Sequence, residues 1–133
     1  MQGFERLGEA IAATRDIEDP YEALRESGRR YRALALAHPM VYRIMFLRSV
    51  PGFEPSDQAL EVASEAFGVL ISSVQRAIAA GVLAEGPPSD VAQMIWASIH
   101  GWVSLELMGM GFVADQDEGF NQVCATILRG LQP

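Results

Sequence analysis

The stretch "MIWASIHGWVSLELMGMGF", from Met94 to Phe112, decides how this chain folds. A helix at the surface of a globular protein shows one apolar stripe and one polar face. This stretch shows almost no polar face, so something must cover it on more than one side. Its strongly polar or ionisable residues are only Ser98, His100, Ser104 and Glu106.

Three arrangements would cover such a stretch. A membrane-spanning helix would bury the ionisable side chains of His100 and Glu106 in lipid, at a high free-energy cost. It would also leave the amphipathic companion helices of this chain unexplained. We therefore expect no membrane span. The two remaining arrangements are a central helix inside one monomer and a helix shared between its own core and a partner subunit.

Advancing 100° per residue along a helix separates this region into two apolar faces. The first face holds Trp96, Ile99, His100, Val103 and Leu107. The second face, nearly opposite, holds Val91, Ile95, Trp102, Leu105 and Gly109. Between them runs a narrow seam of small residues, Ala97, Gly101 and Ser104, where another helix could approach closely. Two large apolar faces on one helix favour a homodimer, with the first face turned to the monomer's own core or pocket.

The rest of the chain also follows helical periodicity. We predict helices over 2–15, from Pro20 to about His38, from Pro39 onward, and over 57–80, 90–111 and 117–131. No convincing strand remains. The sequence therefore predicts one all-α domain of six helices over residues 1–133, and the last two helices are expected to pair with their copies in an intermolecular four-helix bundle.

Several helix boundaries have local signals. Asp19 is a suitable N-cap, Pro20 suits the first helical position, and Glu22 completes a capping-box pattern. Gly81 is the expected C-cap of the fourth helix. Ser89 or Asp90 is the expected N-cap of the fifth.

A hydrophobic pocket between helices is the most plausible binding site. Its expected lining is rich in Met and aromatic side chains, with Tyr31, Tyr42 and His100 as sparse polar groups, and such a lining suits apolar or aromatic ligands. The alternative is a plain packed core. The full expected set is Tyr31, Tyr42, Met45, Phe46, Phe67, Ile71, Trp96, His100 and Val103.

The expected dimer interface combines the second face of the fifth helix with the apolar side of the last helix. Cys124 would pack there as a small hydrophobe. The full expected set is Val91, Ile95, Trp102, Leu105, Phe120, Val123, Cys124, Ile127 and Leu131.

Composition excludes several functions. The net charge is −7, and a chain this acidic is not expected to bind nucleic acid by itself, because phosphate contacts need clustered cations. No catalytic constellation and no metal-binding spacing is visible, so we expect no enzyme, no metal site and no cofactor. A helical enzyme would have to rely on His100, Tyr31, Tyr42 and Glu106. A single cysteine and the lack of a signal peptide fit the cytoplasm.

The sequence alone does not assign a role to the α2 arginines or a partner to Glu106. Arg25, Arg29 and Arg32 share one face of the second helix. That face is either solvated, with exposed ion pairs to Glu22 and Glu26, or a surface that meets another domain or nucleic-acid phosphates. Glu106 has no partner that the sequence reveals.

The segments "YRALALAHPMVYRIMF", "VPGFEPS" and "WASIHGWVSLELMG" together resemble the C-terminal regulatory domain of TetR-family transcriptional repressors. The resemblance extends from about Phe4 to Leu131. The most similar subgroup carries a Trp…His-Gly signature, here Trp96, His100 and Gly101.

The resemblance implies a helical domain around a small-effector pocket and a homodimer formed by the last two helices. It also implies that the effector alters DNA binding by an N-terminal helix-turn-helix head. That head is not found in residues 1–133, so we expect DNA binding only through a domain outside this chain. The alternative is a free-standing helical protein that binds small molecules or a partner without DNA.

Overall fold

The computed structural model describes residues 2–43 and 57–133, and this part of the chain is helical without a strand. A short 3-10 helix, Ala13–Asp16, follows the first α-helix. The α-helices are α1 (Gln2–Ala12), α2 (Pro20–Ala37), α3 (Pro39–Tyr42), α4 (Asp57–Ala79), α5 (Pro88–Leu107) and α6 (Gln116–Gly130). The prediction of an all-α fold is confirmed for these residues.

The start of α2 follows the predicted N-cap at Asp19, while the Glu22 side chain pairs with Arg29 instead of completing a capping box. The Asp19 carboxylate accepts hydrogen bonds from the backbone N–H groups of Tyr21 and Glu22, at 2.9 and 3.3 Å. These bonds satisfy two of the N–H groups that a helix start leaves unpaired. The Glu22 carboxylate binds Arg29 at 2.8 Å. At the other end, His38 ends α2 before Pro39, as predicted.

The boundaries of α5 differ from the prediction. The helix begins at Pro88 with Pro87 as its N-cap, and neither Ser89 nor Asp90 caps it. Proline suits the first turn because its missing N–H would have no partner there. The helix ends at Leu107, four residues before the predicted end, because Gly109 takes φ +74° and turns the chain.

The core lies where α4 and α5 cross the N-terminal helices. α4 packs against α1, α2 and α5, while α6 packs against α5 and more lightly against α2. Val74 and Ala77 of α4 and Ala92 and Val103 of α5 are fully buried. Within the described residues, no helix combines the length and the apolar character that a membrane crossing requires.

Candidate functional site

A cavity of about 340 Å³ lies among α1, α2, α4 and α5. We call it the α2–α5 cavity. Its wall opens to solvent beside Leu60, Ser64 and Gln93, which are exposed. The wall consists of Ile11, Leu24, Ser27, Gly28, Tyr31, Leu60, Ala63, Ser64, Ala66, Phe67, Leu70, Gln93, Ile95, Trp96 and Ile99.

α4 contributes both small and large side chains to the cavity wall, and α5 contributes large ones. Ala63, Ala66 and Phe67 of α4 line the cavity together with Trp96 of α5. The rings of Phe67 and Trp96 lie 6.1 Å apart, within the range of a direct aromatic contact. The wall is therefore mostly aliphatic and aromatic, which suits an apolar ligand.

A polar network stands behind one part of this wall. It consists of Tyr31, Tyr42, Trp96, His100 and Ser104. The Trp96 indole N–H donates to the Tyr31 hydroxyl at 3.2 Å, and the Tyr31 and Tyr42 hydroxyls lie 3.0 and 2.6 Å from His100 Nδ1. The Tyr42 hydroxyl also lies 3.4 Å from the Ser104 hydroxyl. Since Tyr31 and Trp96 belong to both, the network joins the cavity wall to the middle of α5.

The network is uncharged near neutral pH. Burial lowers the pKa of His100, which favours the neutral imidazole. Burial raises the pKa of Tyr31 and of Tyr42, which keeps both phenols protonated. A neutral His100 can accept a hydrogen bond from a tyrosine hydroxyl at Nδ1. The arrangement therefore holds polar groups in place without a net charge beside the cavity.

Arg32, Glu106 and Asp117 form an ion-pair cluster that joins α2, α5 and α6. The Arg32 guanidinium donates from Nε and Nη2 to the two Glu106 oxygens, at 3.0 and 2.8 Å, and from Nη1 to Asp117 at 2.8 Å. The Arg32 and Glu106 side chains are both 13% exposed. The Glu106 hydrogen bonds raise the pKa of Arg32. Glu106 thus has a partner 74 residues away in the chain.

Two arginines on the same face of α2 make different kinds of contact. Arg29 makes exposed ion pairs with Glu22 and Glu26, as the solvated-face interpretation expects. Arg32 departs from that interpretation, because it is turned inward onto Glu106 and its guanidinium lies 5.3 Å from the Phe120 ring centre.

Three of the expected pocket residues, Tyr31, Phe67 and Trp96, line the cavity. Tyr42 and His100 lie behind the wall in the polar network. Ile71 packs at the edge of the hydrophobic core and Val103 is fully buried, so neither lines the cavity. The predictions for Met45 and Phe46 fall outside the described residues.

Sequence reasoning missed most of the wall. Ala63 and Ala66 give no chemical signal in the sequence, because a cavity arises from what is absent beside them. Ile11 of α1 and Gly28 of α2 come close only through tertiary packing. The helical wheel places Ile99 on the first face of α5, and the structure adds it to the cavity wall.

Four residues expected at the dimer interface are instead buried within their own chain. Val91, Ile95, Phe120 and Cys124 are only 2–7% exposed. Ile95 also lines the cavity. A side chain that is buried in its own chain exposes little surface for contact with a partner. These four residues are therefore core residues of the single chain.

The other expected interface residues keep some surface. Leu105 is 47% exposed. Val123, Ile127 and Leu131 are partly buried beside the core. Trp102 is also partly buried, and its ring covers Gly119, where an added Cβ would lie 2.7 Å from the ring.

α5 carries an exposed apolar line that continues past the end of the helix. Its large members are Met94, Leu105 and Met108, each close to half exposed. Ala97 is exposed between them, and a Cβ added at Gly101 would meet nothing within 4 Å. We call Met94, Ala97, Gly101, Leu105 and Met108 the α5 stripe.

Similar proteins are found among known families and among solved structures. A sequence model of the family described as "Tetracyclin repressor-like, C-terminal domain" matches residues 24–127. A solved structure described as a protein with unknown function from Rhodococcus sp. RHA1 is 27% identical, with a TM-score of 0.84. The similarity covers 99% of this chain and 70% of that chain. No curated protein matches the chain.

Proposed function

The chain belongs to the tetracyclin repressor-like C-terminal domain family, and we propose that it is the effector-binding and dimerisation domain of a TetR-type transcriptional regulator that works in the cytoplasm. The observation that carries the proposal is the α2–α5 cavity, with a volume at the low end of ligand pockets and a predominantly apolar wall. The proposed effector is a small apolar or aromatic molecule. The assignment to the subgroup marked by Trp96, His100 and Gly101 stays a prediction.

The position of α1 supports a route from the effector to DNA. Ile11 near the end of α1 forms part of the cavity wall, so an effector contacts the first helix directly. We propose that a DNA-binding head joins the N-terminal side of α1 in the functional protein. An effector then changes DNA binding only to the extent that it prefers one position of α1 over another.

The α5 stripe is the proposed centre of a homodimer. Gly101 lies midway along the chain between Met94 and Met108, and also between Ala97 and Leu105. A two-fold axis through Gly101 would therefore place Met94 against the partner's Met108, and small Ala97 against the partner's large Leu105. Open space at Gly101 lets two helices approach closely at the crossing point.

A charge on the stripe tests the dimer. Leu105→Arg is expected to weaken dimerisation by roughly a hundredfold or more, because it buries an unpaired cation in an apolar contact. Leu36→Arg is the matched control, since Leu36 is 38% exposed and belongs to α2, not to the stripe. Sedimentation equilibrium measures both. Equal dimer dissociation constants for the two variants would contradict the proposed interface.

A change in cavity volume tests the effector site. The chain purified from its native host under mild conditions is expected to carry a small apolar molecule that organic extraction and mass spectrometry detect. Ala66→Phe places a ring in the cavity and should abolish that signal. Retention of the same molecule by a folded Ala66→Phe variant would show that it binds elsewhere.

A further inference from the structure

The wall of the α2–α5 cavity contains no charged side chain within the part of the chain that the structure describes. Its only polar residues are Ser27, Tyr31, Ser64, Gln93 and Trp96. A ligand that carries a charge into this space would leave its hydration shell without meeting an opposite charge. Such a transfer is strongly unfavourable for either sign of charge.

Three arginines of the surrounding helices α2 and α4 make contacts within the protein. Arg30 donates to the Ala10 carbonyl oxygen at 2.8 Å and to Glu26 at 3.2 Å. Arg76 donates to the carbonyl oxygen of Ile17 at 2.6 Å. Arg32 is held by Glu106. An anionic ligand could recruit one of these cations only by breaking contacts between helices.

The inner polar atoms of the wall are committed to the protein itself. The Ser27 hydroxyl donates to the Ala23 carbonyl oxygen at 2.9 Å and lies 3.2 Å from the Thr14 hydroxyl. The Tyr31 hydroxyl accepts from Trp96 and contacts His100. The exposed side chains of Ser64 and Gln93, at the opening, therefore remain as the natural contacts for a polar group of the ligand.

The opening is more acidic than basic. Glu61 and Glu65 are exposed on α4 next to Leu60 and Ser64, and Asp90 lies one turn before Gln93 on α5. These carboxylates repel an anionic group at the opening. They would attract a cation only weakly, because ion pairs at exposed positions contribute little.

We propose that the effector of this domain is an uncharged molecule whose apolar body fills the cavity and whose single hydrogen-bonding group, such as an alcohol or a carbonyl, faces Ser64 and Gln93. The inference rests on the proposed effector-binding function and narrows it. It gives an order of affinity for ligands with the same apolar body: neutral first, cationic second and anionic last.

Three adamantane derivatives test this order, because they share one apolar cage and do not absorb where tryptophan emits. The probes are 1-adamantanemethanol, 1-adamantanemethylammonium and 1-adamantanecarboxylate. The reporter is the Trp102→Phe variant, whose remaining indole, Trp96, lines the cavity. Titration at pH 7 follows the emission of Trp96, and calorimetry on the unsubstituted chain checks the binding constants.

The alcohol is expected to bind at least about tenfold tighter than the ammonium ion, and the carboxylate weakest of the three. If either charged probe binds as tightly as the alcohol, the neutral-ligand inference is wrong, although the cavity is still a binding site. If none of the probes binds in either measurement, the proposed effector site itself is contradicted.

A cation at the opening gives a positive control for anion binding. Gln93→Arg is expected to raise the affinity for the carboxylate by about two- to fivefold, in the range of an exposed ion pair. The matched control is Gln75→Arg, which adds the same charge at an exposed position of α4 outside the cavity wall. An equal effect of both variants would show that net charge alone, not the opening, controls anion binding.

Discussion

α2 and α5 meet different neighbours on their two sides, and the two sides are packed differently. Toward α4 they enclose a cavity of about 340 Å³. Toward α6 they pack closely, since a Cβ added at Gly28 would lie 3.5 Å from the Cys124 sulfur and 3.7 Å from the Phe120 ring. On that side Arg32 also joins the helices through Glu106 and Asp117.

This difference indicates that the two sides of α2 and α5 have different roles. The α6 side has close packing and an ion-pair cluster, both of which fix the relative positions of α2 and α5. The α4 side keeps open volume, and a ligand there can change contacts without rebuilding the core. Substitutions that add volume should therefore destabilise the α6 side more than the cavity side.

The largest effect is expected from Arg32→Ala. This variant leaves the mostly buried Glu106 carboxylate without its cation, which should reduce the free energy of unfolding by about 2–4 kcal/mol. Urea denaturation measures the loss. Arg29→Ala is the control, because its pairs with Glu22 and Glu26 are more exposed and should contribute less than about 1 kcal/mol. Similar losses in the free energy of unfolding for both variants would contradict a special contribution of the ion-pair cluster to stability.

Gly28→Val is expected to have the next largest effect on the free energy of unfolding. Although Gly28 also borders the cavity, its first added carbon already lies 3.2 Å from Ile99 Cδ1 and 3.5 Å from the Cys124 sulfur, so two further methyl groups overpack the junction of α2, α5 and α6. The expected loss is about 1–3 kcal/mol in the free energy of unfolding.

The contrasting variant is Gly68→Ala on α4, where an added Cβ meets nothing within 4 Å. The higher helix propensity of alanine should stabilise that variant by up to about 1 kcal/mol. Thermal unfolding of both variants checks the pair. A stabilised Gly28→Val would mean that the α6 side is looser than its contacts indicate.

A smaller effect is expected on the cavity side. Ala63→Leu adds apolar carbons where space exists, so the free energy of unfolding should change by less than about 1 kcal/mol. The same variant should bind 1-adamantanemethanol at least about tenfold more weakly, because the added side chain occupies ligand volume. Ala79→Leu, at an exposed position of α4, is the control for the added helix-surface leucine. Unchanged binding in Ala63→Leu would place the ligand outside the cavity.

The smallest effect concerns pH. Because burial lowers the pKa of His100, the unfolded chain binds a proton at a higher pH than the folded chain does. His100 therefore favours the folded state above its ordinary pKa, near 6.5, and this contribution is lost as the pH falls through that range. Urea denaturation between pH 7.5 and 5.5 should show a steeper loss for the unsubstituted chain than for His100→Gln. Parallel pH profiles would contradict a neutral, buried imidazole.

Local signals in the sequence were sufficient for much of the fold. Asp19, Pro39 and Gly81 mark helix ends because capping and proline geometry depend on neighbouring residues. The sequence predicts the C-terminal end of α5 too late, since the apolar run continues past Leu107 while Gly109 turns the chain. Composition does not reveal such a turn when the residues beyond it are also apolar.

The first face of α5 lies against the chain's own core, where Ile99 and Val103 are buried, whereas the second face is divided. Ile95 was assigned to the partner, yet it lies in the core and at the cavity wall. The seam was expected between the faces, and two of its members, Ala97 and Gly101, lie along the exposed line. Its third member, Ser104, is buried. A helical wheel gives the angles between side chains, while the neighbours at those angles are set by tertiary packing.

Native mass spectrometry of the gently purified chain tests the central claim most directly, because one spectrum reports both subunit number and bound ligand. The account predicts a homodimer of this 14.5 kDa chain that carries a small apolar molecule, and predicts that Ala63→Leu keeps the dimer but loses the ligand. A monomer at micromolar concentration with no bound molecule would contradict the account. So would a ligand that stays bound to Ala63→Leu.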